Sequence, residues 1–198
     1  MKAFLTSLKS DESLMLDYQN GDSVAFEVLY QRHKDKLFNF IYRSCRNPEV
    51  VEDVAHEVWI AVIRNIDSYQ PKAKFTTYLY QITRNKIIDH GRRQKSKPID
   101  GVDDDVDFEN LSRQDGLHSL QPSAGHDADN QLEWMHLLNQ LMDALARLPD
   151  EQREAFLLKE QGFNQKEIAD ITETTPETVK SRVRYARKSL KQTLGAVT

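Results

Sequence analysis

The chain has 198 residues, of which 29% are charged and 39% hydrophobic. This length accommodates one large domain or two small ones, and only 7 glycines with little Val/Thr alternation argue against an extensive β-sheet. The single cysteine, Cys45, excludes an internal disulfide and is expected in the core. No segment has the apolar length of a signal peptide or a membrane span, so we expect a cytoplasmic protein without membrane insertion.

The net charge of −4 hides an uneven distribution of acids and bases. Residues 100–129 carry nine acids and a single basic residue, Arg113, so the flanking parts of the chain are net basic. The wider segment 98–130 is rich in Gly, Pro, Ser, Asp and Gln, and it has few periodic apolar residues. Because it is longer than an ordinary loop, we interpret it as a flexible acidic linker between a domain at 1–97 and a second at 131–198.

Two long helices are predicted in the first third of the chain. The first follows a turn at residues 20–22, has apolar residues at helical spacing over residues 26–42, and ends before Pro48. The second covers residues 48–65, and its apolar side is predicted to be buried. That side consists of Val51, Val54, Ala55, Val58 and Val62 and is continued by Ile66.

The opposite side of this second helix mixes charged and apolar residues. It carries Asp53, His56, Glu57, Arg64, Ile60 and Ile63, with Trp59 at its edge. Apolar residues ringed by charge are typical of a partner-binding surface. Two other interpretations stay open. The helix is buried on two sides, or the acids of residues 52–57 bind a metal together with His56.

A basic helix with aromatic residues is predicted after a loop at residues 67–77. Its apolar side contains Phe75, Tyr78, Leu79 and Ile82, and its basic residues are Arg84, Lys86, Arg92, Arg93, Lys95 and Lys97. Aromatic rings beside cationic side chains suit single-stranded nucleic acid, because bases stack and phosphates are neutralised. Asn85 offers both a donor and an acceptor to a base edge. A core aromatic cluster next to a solvated basic tail is the alternative.

The C-terminal part is predicted to contain four helices. Apolar residues recur at helical spacing over residues 131–148 and 150–161, with Pro149 between the two helices. The stretch from residue 164 to 194 then has the pattern of two further helices joined by a tight turn at residues 172–174.

The last of these helices is strongly one-sided. Thr175 is placed as its N-cap, and Pro176 occupies its first position, where the missing N–H has no effect. Val179, Val183, Ala186, Leu190 and Leu194 share one face, whereas Glu177, Lys180, Ser181, Arg184, Lys188 and Lys191 lie on the other side. A capped, cationic helix after a short helix is typical of a helix-turn-helix, whose second helix enters a DNA major groove. A helical hairpin with a solvated charged face is the alternative.

Three stretches carry a resemblance to a known family: VEDVAHEVWIAVIRNIDSY, FTTYLYQITRNKIIDHGRRQ and LPDEQREAFLLKEQGFNQKEIADITETTPETVKSRVRYARKSL. In this order and at this spacing, the chain resembles a bacterial RNA polymerase sigma factor of the sigma-70 family, in its minimal extracytoplasmic-function (ECF) form. The resemblance covers roughly residues 22–95 and 132–194. It implies an all-α fold in which a sigma-2-like domain and a sigma-4-like domain are joined by the linker.

The resemblance also implies how each surface is used. Region 2.2 would dock on the clamp coiled coil of the polymerase β′ subunit, and the β flap and an anti-sigma protein are further implied partners. Regions 2.3 and 2.4 would melt the −10 element and capture a flipped base, and the last helix would read the −35 element of promoter DNA. The implied docking residues are Glu52, Asp53, His56, Glu57, Trp59 and Ile60. The implied −10 residues are Lys74, Phe75, Tyr78, Arg84, Asn85, Arg92 and Arg93, and the implied −35 residues are Glu177, Thr178, Lys180, Ser181, Arg184 and Arg187.

The resemblance assigns separate roles within these sets, and the chain departs from the family pattern at three places. Phe75 and Tyr78 would stack on the captured base, Asn85 would read a base edge, and the arginines would bind phosphate. His56 stands where the family usually has Gln, and Tyr78 lies near a position where Trp is frequent. Glu173 lies in the turn, where many helix-turn-helix motifs place Gly.

The implied function is promoter-specific transcription initiation by core polymerase. We therefore expect no catalytic residues, no cofactor and no metal in this chain. Two other functions stay open on the residues alone. A stand-alone helix-turn-helix regulator would bind its operator without polymerase, and a metal-dependent nuclease would need further acids to converge with those of residues 52–57.

Overall fold

The computed structural model describes residue 6 and residues 8–45, 48–95 and 128–195. Over these ranges the fold is all-α, as predicted, and no described residue lies in a strand. The helices are α1 (Asp11–Gln19), α2 (Ser23–Cys45), α3 (Pro48–Arg64), α4 (Phe75–Lys95), α5 (Ala128–Ala146), α6 (Asp150–Glu160), α7 (Gln165–Thr172) and α8 (Pro176–Gly195). A 3-10 turn, Ile66–Ser68, follows α3. The predicted linker lies outside the described residues except for its last three positions, which begin α5.

The N-terminal domain consists of α1 to α4 packed around one apolar core. The inner face of α3 is buried as its periodicity predicts, with Val51, Val58 and Val62 fully buried. Helix α4 contributes Phe75 and Leu79, which are also fully buried. Helix α1 packs against α2 and also contacts the 3-10 turn and α4. Helix α1 therefore contacts the chain at both ends of the segment that connects α3 to α4.

The C-terminal domain contains the helix-turn-helix, and its two helices are capped by side chains. Asn164 Oδ1 accepts hydrogen bonds from the backbone N–H of Lys166 (2.9 Å) and Glu167 (3.0 Å), and Glu167 accepts one from the N–H of Asn164 (2.8 Å). This reciprocal capping box satisfies donors that the first turn of α7 leaves unpaired. Thr175 caps α8 as predicted, by accepting from the N–H of Thr178 at 3.2 Å.

The turn between α7 and α8 is made without glycine. Glu173 adopts the left-handed conformation, with a φ of 53°, and its N–H donates to the carbonyl of Ala169. This is the conformation that Gly commonly supplies at a helix C-terminus. The inward face of α8 matches the prediction, because Val179 and Ala186 are fully buried and Leu190 is 6% exposed.

The two domains pack on each other through α4 and α7, an arrangement that the sequence did not predict. The rings of Tyr80 and Phe163 lie 4.9 Å apart, and the Tyr80 hydroxyl donates to Gln161 Oε1 at 3.3 Å. Gln81 Nε2 donates to the backbone carbonyl of Asp170 at 3.0 Å. Aromatic packing and amide hydrogen bonds thus join the outer side of α4 to the helix-turn-helix.

Cys45 lies at a cleft of about 490 Å³ between the domains and not in the central core of either domain. Its side chain is half-buried, and burial raises the pKa of the thiol to about 11. Cys45 packs against the apolar core from its edge, so it lies at the border of the core and not at its centre. A thiol with so high a pKa is protonated at neutral pH and has little reactivity.

The capping box makes the stability of the helix-turn-helix depend on Asn164. We expect Asn164→Ala to lower the free energy of unfolding by about 1 kcal/mol, because two N–H groups of α7 lose their acceptor. Denaturant unfolding followed by circular dichroism measures this change. Asn139→Ala, at an exposed position in α5, is the matched control and should not destabilise the protein. An equal loss in both variants would contradict a specific capping role for Asn164.

Candidate nucleic-acid interface

The outer face of α3 presents a mixed polar and apolar surface. Glu52, Asp53 and His56 are exposed. Ile63 is 40% exposed, and Ile60 is half-buried beside it. Acids that flank accessible isoleucines match the composition expected of a surface that a protein partner covers.

Trp59 belongs mainly to the core of the N-terminal domain. Its side chain is only 7% exposed, and its ring lies 5.9 Å from the ring of Phe26 and 5.1 Å from that of Tyr30. Both contacts are edge-to-face, the geometry that aromatic pairs prefer. Trp59 therefore supports the outer face of α3 from below and offers little surface of its own.

Glu57 connects α3 to the basic half of α4. Its carboxylate lies 3.1 Å from Lys86 Nζ and 3.3 Å from Arg93 Nη1. The pKa of the Glu57 carboxyl is lowered, because the hydrogen bond from Lys86, supported by the charge of Arg93, outweighs the effect of burial. A residue implied in docking and a residue implied in DNA binding are thus paired directly.

A small cavity lies where the 3-10 turn meets the start of α4. It measures about 350 Å³, at the lower end of the size range of small-molecule sites. Asn65, Ser68, Tyr69, Gln70, Lys72 and Tyr78 line it. Of these, only Tyr78 was among the residues implied by the sequence. The others lie in an irregular segment, where no periodicity marks a residue as functional.

Two tyrosines form the aromatic wall of this cavity. The rings of Tyr69 and Tyr78 are 5.3 Å apart at an angle of 63°, and among the described residues neither buried hydroxyl has a hydrogen-bond partner. Burial raises the pKa of Tyr69 to about 12, with a further contribution from the charge of Glu12, so the hydroxyl keeps its proton at neutral pH. The cavity therefore offers one partly accessible aromatic ring, that of Tyr78, which is backed by the largely buried ring of Tyr69.

Phe75 does not contribute to this cavity, which corrects the stacking role expected for it. Its side chain is fully buried, and its ring lies 5.4 Å from the ring of His33. A ring enclosed on all sides has no face to offer a base. Lys74, which precedes it, is exposed, and its Nζ lies 2.7 Å from Glu167 Oε1 of the other domain.

The predicted basic residues of α4 differ in accessibility. Arg84 is 19% exposed, and its Nε lies 2.9 Å from Glu154 Oε1 in α6. Burial raises the pKa of Glu154, although the charge of Arg84 opposes this effect. Asn85 and Arg92 are exposed to solvent. The part of α4 beyond Arg84 is thus accessible, whereas Arg84 itself faces the C-terminal domain.

The outward side of α8 carries the residues expected to read DNA. Glu177, Lys180 and Arg184 are exposed, and Thr178 and Ser181 are half-buried. These five positions share the side of the helix opposite the buried Val and Ala residues described above. Three of the five side chains are exposed, so this side of α8 is accessible to a DNA groove.

Two further residues of α8, Arg187 and Tyr185, lie elsewhere than the sequence predicted or were not predicted. Arg187 lies on the flank of the helix, 3.7 Å from Glu160 Oε1, and not at the centre of the outward side. Tyr185, which the sequence analysis missed, is 51% exposed, and the Arg184 guanidinium lies 5.0 Å from its ring centre. Its helical-wheel position beside Arg184 and Lys188 is the signal that could have identified it.

The described ranges contain neither a cluster of possible metal ligands nor a helix that could span a membrane. Over residues 8–45, 48–95 and 128–195, no three His, Cys, Asp or Glu side chains converge as a metal-ligand set. The helices of these same ranges include none that combines the length and apolar character needed to cross a bilayer.

Comparison with known families gives two matches along the chain. The model of Sigma-70 region 2 matches residues 29–97, and the model of Sigma-70 region 4 matches residues 138–190. The first match contains α3, the tyrosine-walled cavity and α4. The second contains most of α5 and the helix-turn-helix.

Individual proteins match over nearly the whole chain. The ECF RNA polymerase sigma factor SigW of Bacillus subtilis is 32% identical over 178 residues, which cover 89% of this chain and 92% of SigW. The ECF RNA polymerase sigma-E factor of Escherichia coli K12 is 28% identical, over 91% of this chain and 92% of its own length.

Solved structures share the fold at lower identity. CnrH, in complex with the cytosolic domain of CnrY, aligns with a TM-score of 0.67 at 21% identity over 96% of this chain and all of that one. RpoE of Bartonella quintana, in complex with the anti-sigma factor NepR, aligns with a TM-score of 0.63 at 22% identity, over 86% of this chain and 96% of that one. From its two region matches and its relatives, the chain belongs to the sigma-70 family as an ECF sigma factor, a subunit that binds core RNA polymerase and promoter DNA and directs promoter-specific transcription initiation.

Proposed function

We propose that the chain divides sigma activity among three surfaces. The outer face of α3 docks on the β′ clamp, the tyrosine-walled cavity with the exposed part of α4 melts and holds the −10 element, and α8 reads the −35 element. The observation that carries the proposal is the cavity at the start of α4, the same helix whose far end carries the exposed Arg92 and Arg93. The β flap is the proposed second docking site on polymerase.

The −10 role rests on the chemistry of the cavity. Extruding a base from the duplex costs a few kcal/mol, and a pocket that binds the extruded base offsets this cost. Tyr78 supplies the accessible aromatic surface, the Tyr69 ring packs behind it, and Lys72 at the rim carries a charge for the backbone. Asn85 and Arg92 extend the path along α4, where single-stranded DNA would continue.

The −35 role rests on the exposure and charge of α8. The early turns of a recognition helix reach base edges in the major groove, while flanking cations bind phosphate. Arg184 is placed to donate to guanine, and Lys180 is placed for phosphate. Tyr185 adds an apolar ring suited to a thymine methyl group. Arg187 on the flank is suited to a backbone contact.

The docking role rests on the mixed surface of α3. Glu52 and Asp53 carry negative charge at the rim, and Ile63 provides accessible apolar area. Charged groups around an apolar centre steer association and set its orientation. We propose that Glu57 contributes less to docking, because Lys86 and Arg93 already neutralise it.

Regulation by a partner protein is also proposed. RpoE of Bartonella quintana is described in complex with an anti-sigma factor. An anti-sigma protein that covers the α3 face or the −10 cavity of this chain would prevent initiation without altering its fold. We further propose that the chain acts in the cytoplasm, has no catalytic residues and leaves phosphoryl transfer to polymerase.

The −35 assignment predicts the effect of removing Arg184. We expect Arg184→Ala to weaken holoenzyme binding to its preferred −35 duplex by about 5- to 150-fold, because one good bidentate base contact is worth about 1–3 kcal/mol. The duplex is first selected from a randomised library with wild-type holoenzyme, and affinity is then measured by fluorescence anisotropy.

The control for this measurement is Arg147→Ala, which removes the same charge from an exposed position just after α5. It should change the affinity by less than twofold. If Arg184→Ala bound the selected duplex as tightly as wild type and kept its base preference, α8 would not read the −35 element through this residue.

A further inference from the structure

Helix α1 lies outside both family matches, yet it contacts both ends of the segment that forms the −10 cavity. Gln19 Nε2 donates to the carbonyls of Ile66 (2.8 Å) and Asp67 (3.2 Å) at the start of that segment. Glu12 Oε1 accepts the N–H of Phe75, the first residue of α4, at 2.7 Å. A single short helix thus binds the beginning and the end of the loop.

Glu12 binds a group that would otherwise be unpaired, because the first N–H groups of a helix have no partner within their own element. Gln19 adds a second donor to the Ile66 carbonyl, which also accepts the N–H of Tyr69. A carboxylate at a helix N-terminus is also favoured by the helix dipole. Glu12 and Gln19 therefore fix the backbone at the two ends of the loop.

Helix α1 is itself anchored to α2. Asp11 accepts from Arg32 Nη1 at 2.6 Å and lies 2.7 Å from His33 Nε2, and the His33 ring backs Phe75. Burial alone would raise the pKa of Asp11, but the hydrogen bonds to His33 and Arg32 hold it below its ordinary value. The carboxylate therefore stays ionised at neutral pH, and the anchor is in place under working conditions.

We propose that Glu12 and Gln19 are positioning residues for −10 recognition, which hold the loop of residues 66–75 in the shape that forms the cavity. This inference rests on the −10 role proposed above for Tyr69 and Tyr78. It assigns to α1 a function in promoter opening, which α1 exerts through its contacts with the loop and with the start of α4.

The test compares Glu12→Ala with Glu12→Gln in the holoenzyme. The Gln side chain still accepts a hydrogen bond from Phe75, whereas Ala does not. We expect about tenfold weaker binding of a single-stranded −10 oligonucleotide for Glu12→Ala and less than a twofold change for Glu12→Gln. Core affinity and −35 duplex binding should be unchanged in both. Gln19→Ala should resemble Glu12→Ala, and Glu27→Ala, at an exposed position in α2, is the charge-loss control.

Amide hydrogen exchange supplies a second measurement that does not depend on DNA. Glu12→Ala should accelerate exchange in residues 66–75 and leave the core of α3 protected. The proposal fails if Glu12→Ala binds the −10 strand like wild type, or if it loses −10, −35 and core binding in the same proportion. If instead wild-type holoenzyme shows no preference for the −10 strand, the proposed function of the cavity fails, while the exchange result still decides whether α1 orders the loop.

Discussion

Helix α4 packs against the N-terminal core on one side and against the C-terminal domain on the other. These two contacts fix the position of the proposed DNA-binding residues. Its inner side, with Phe75 and Leu79, completes the core of the N-terminal domain. Its outer side meets the C-terminal domain through Tyr80 and Gln81. The end of α4 beyond Arg84 remains open to solvent. A helix fixed in this way can present a cavity at its beginning and cations at its end without its own rearrangement.

Three cations of the proposed DNA path already form ion pairs with carboxylates of the chain. These ion pairs affect the free energy of promoter binding. Lys86 and Arg93 are paired with Glu57, and Arg84 with Glu154. Binding DNA therefore exchanges a carboxylate for a phosphate and does not simply add an attraction. Such an exchange contributes less net free energy than the pairing of a phosphate with an unpaired cation.

Periodicity and capping rules predicted the parts of the structure that local physics decides. The buried faces of α3 and α8, the start of α3 at Pro48 and the cap at Thr175 all follow from side-chain spacing and terminal hydrogen bonds. The resemblance to the ECF sigma family, drawn from three stretches, is confirmed by the region matches and relatives. The assignments of individual site residues stay predictions.

What the sequence could not predict depends on contacts between distant residues. An aromatic residue in a basic helix has the same pattern whether it stacks on a base or fills the core, and only the folded structure shows that Phe75 is fully buried, next to His33. Tyr69 lies in an irregular loop, where spacing gives no signal. The bond from Glu12 to Phe75 spans 63 positions, and the contact of Tyr80 with Phe163 crosses the linker. The conformation of Glu173 likewise depends on the α7–α8 turn as a whole.

The most direct test of this account is run-off transcription with purified bacterial core polymerase, with and without the chain, on promoters selected by the holoenzyme. The account predicts transcripts from one defined start site only when the chain is present, and loss of those transcripts in the double variant Glu52→Ala with Asp53→Ala. Asp89→Ala with Asp170→Ala, which removes two exposed acids elsewhere, should keep activity. If the chain bound promoter DNA tightly by itself and left the products of core polymerase unchanged, the assignment of its surfaces to a sigma mechanism would be contradicted.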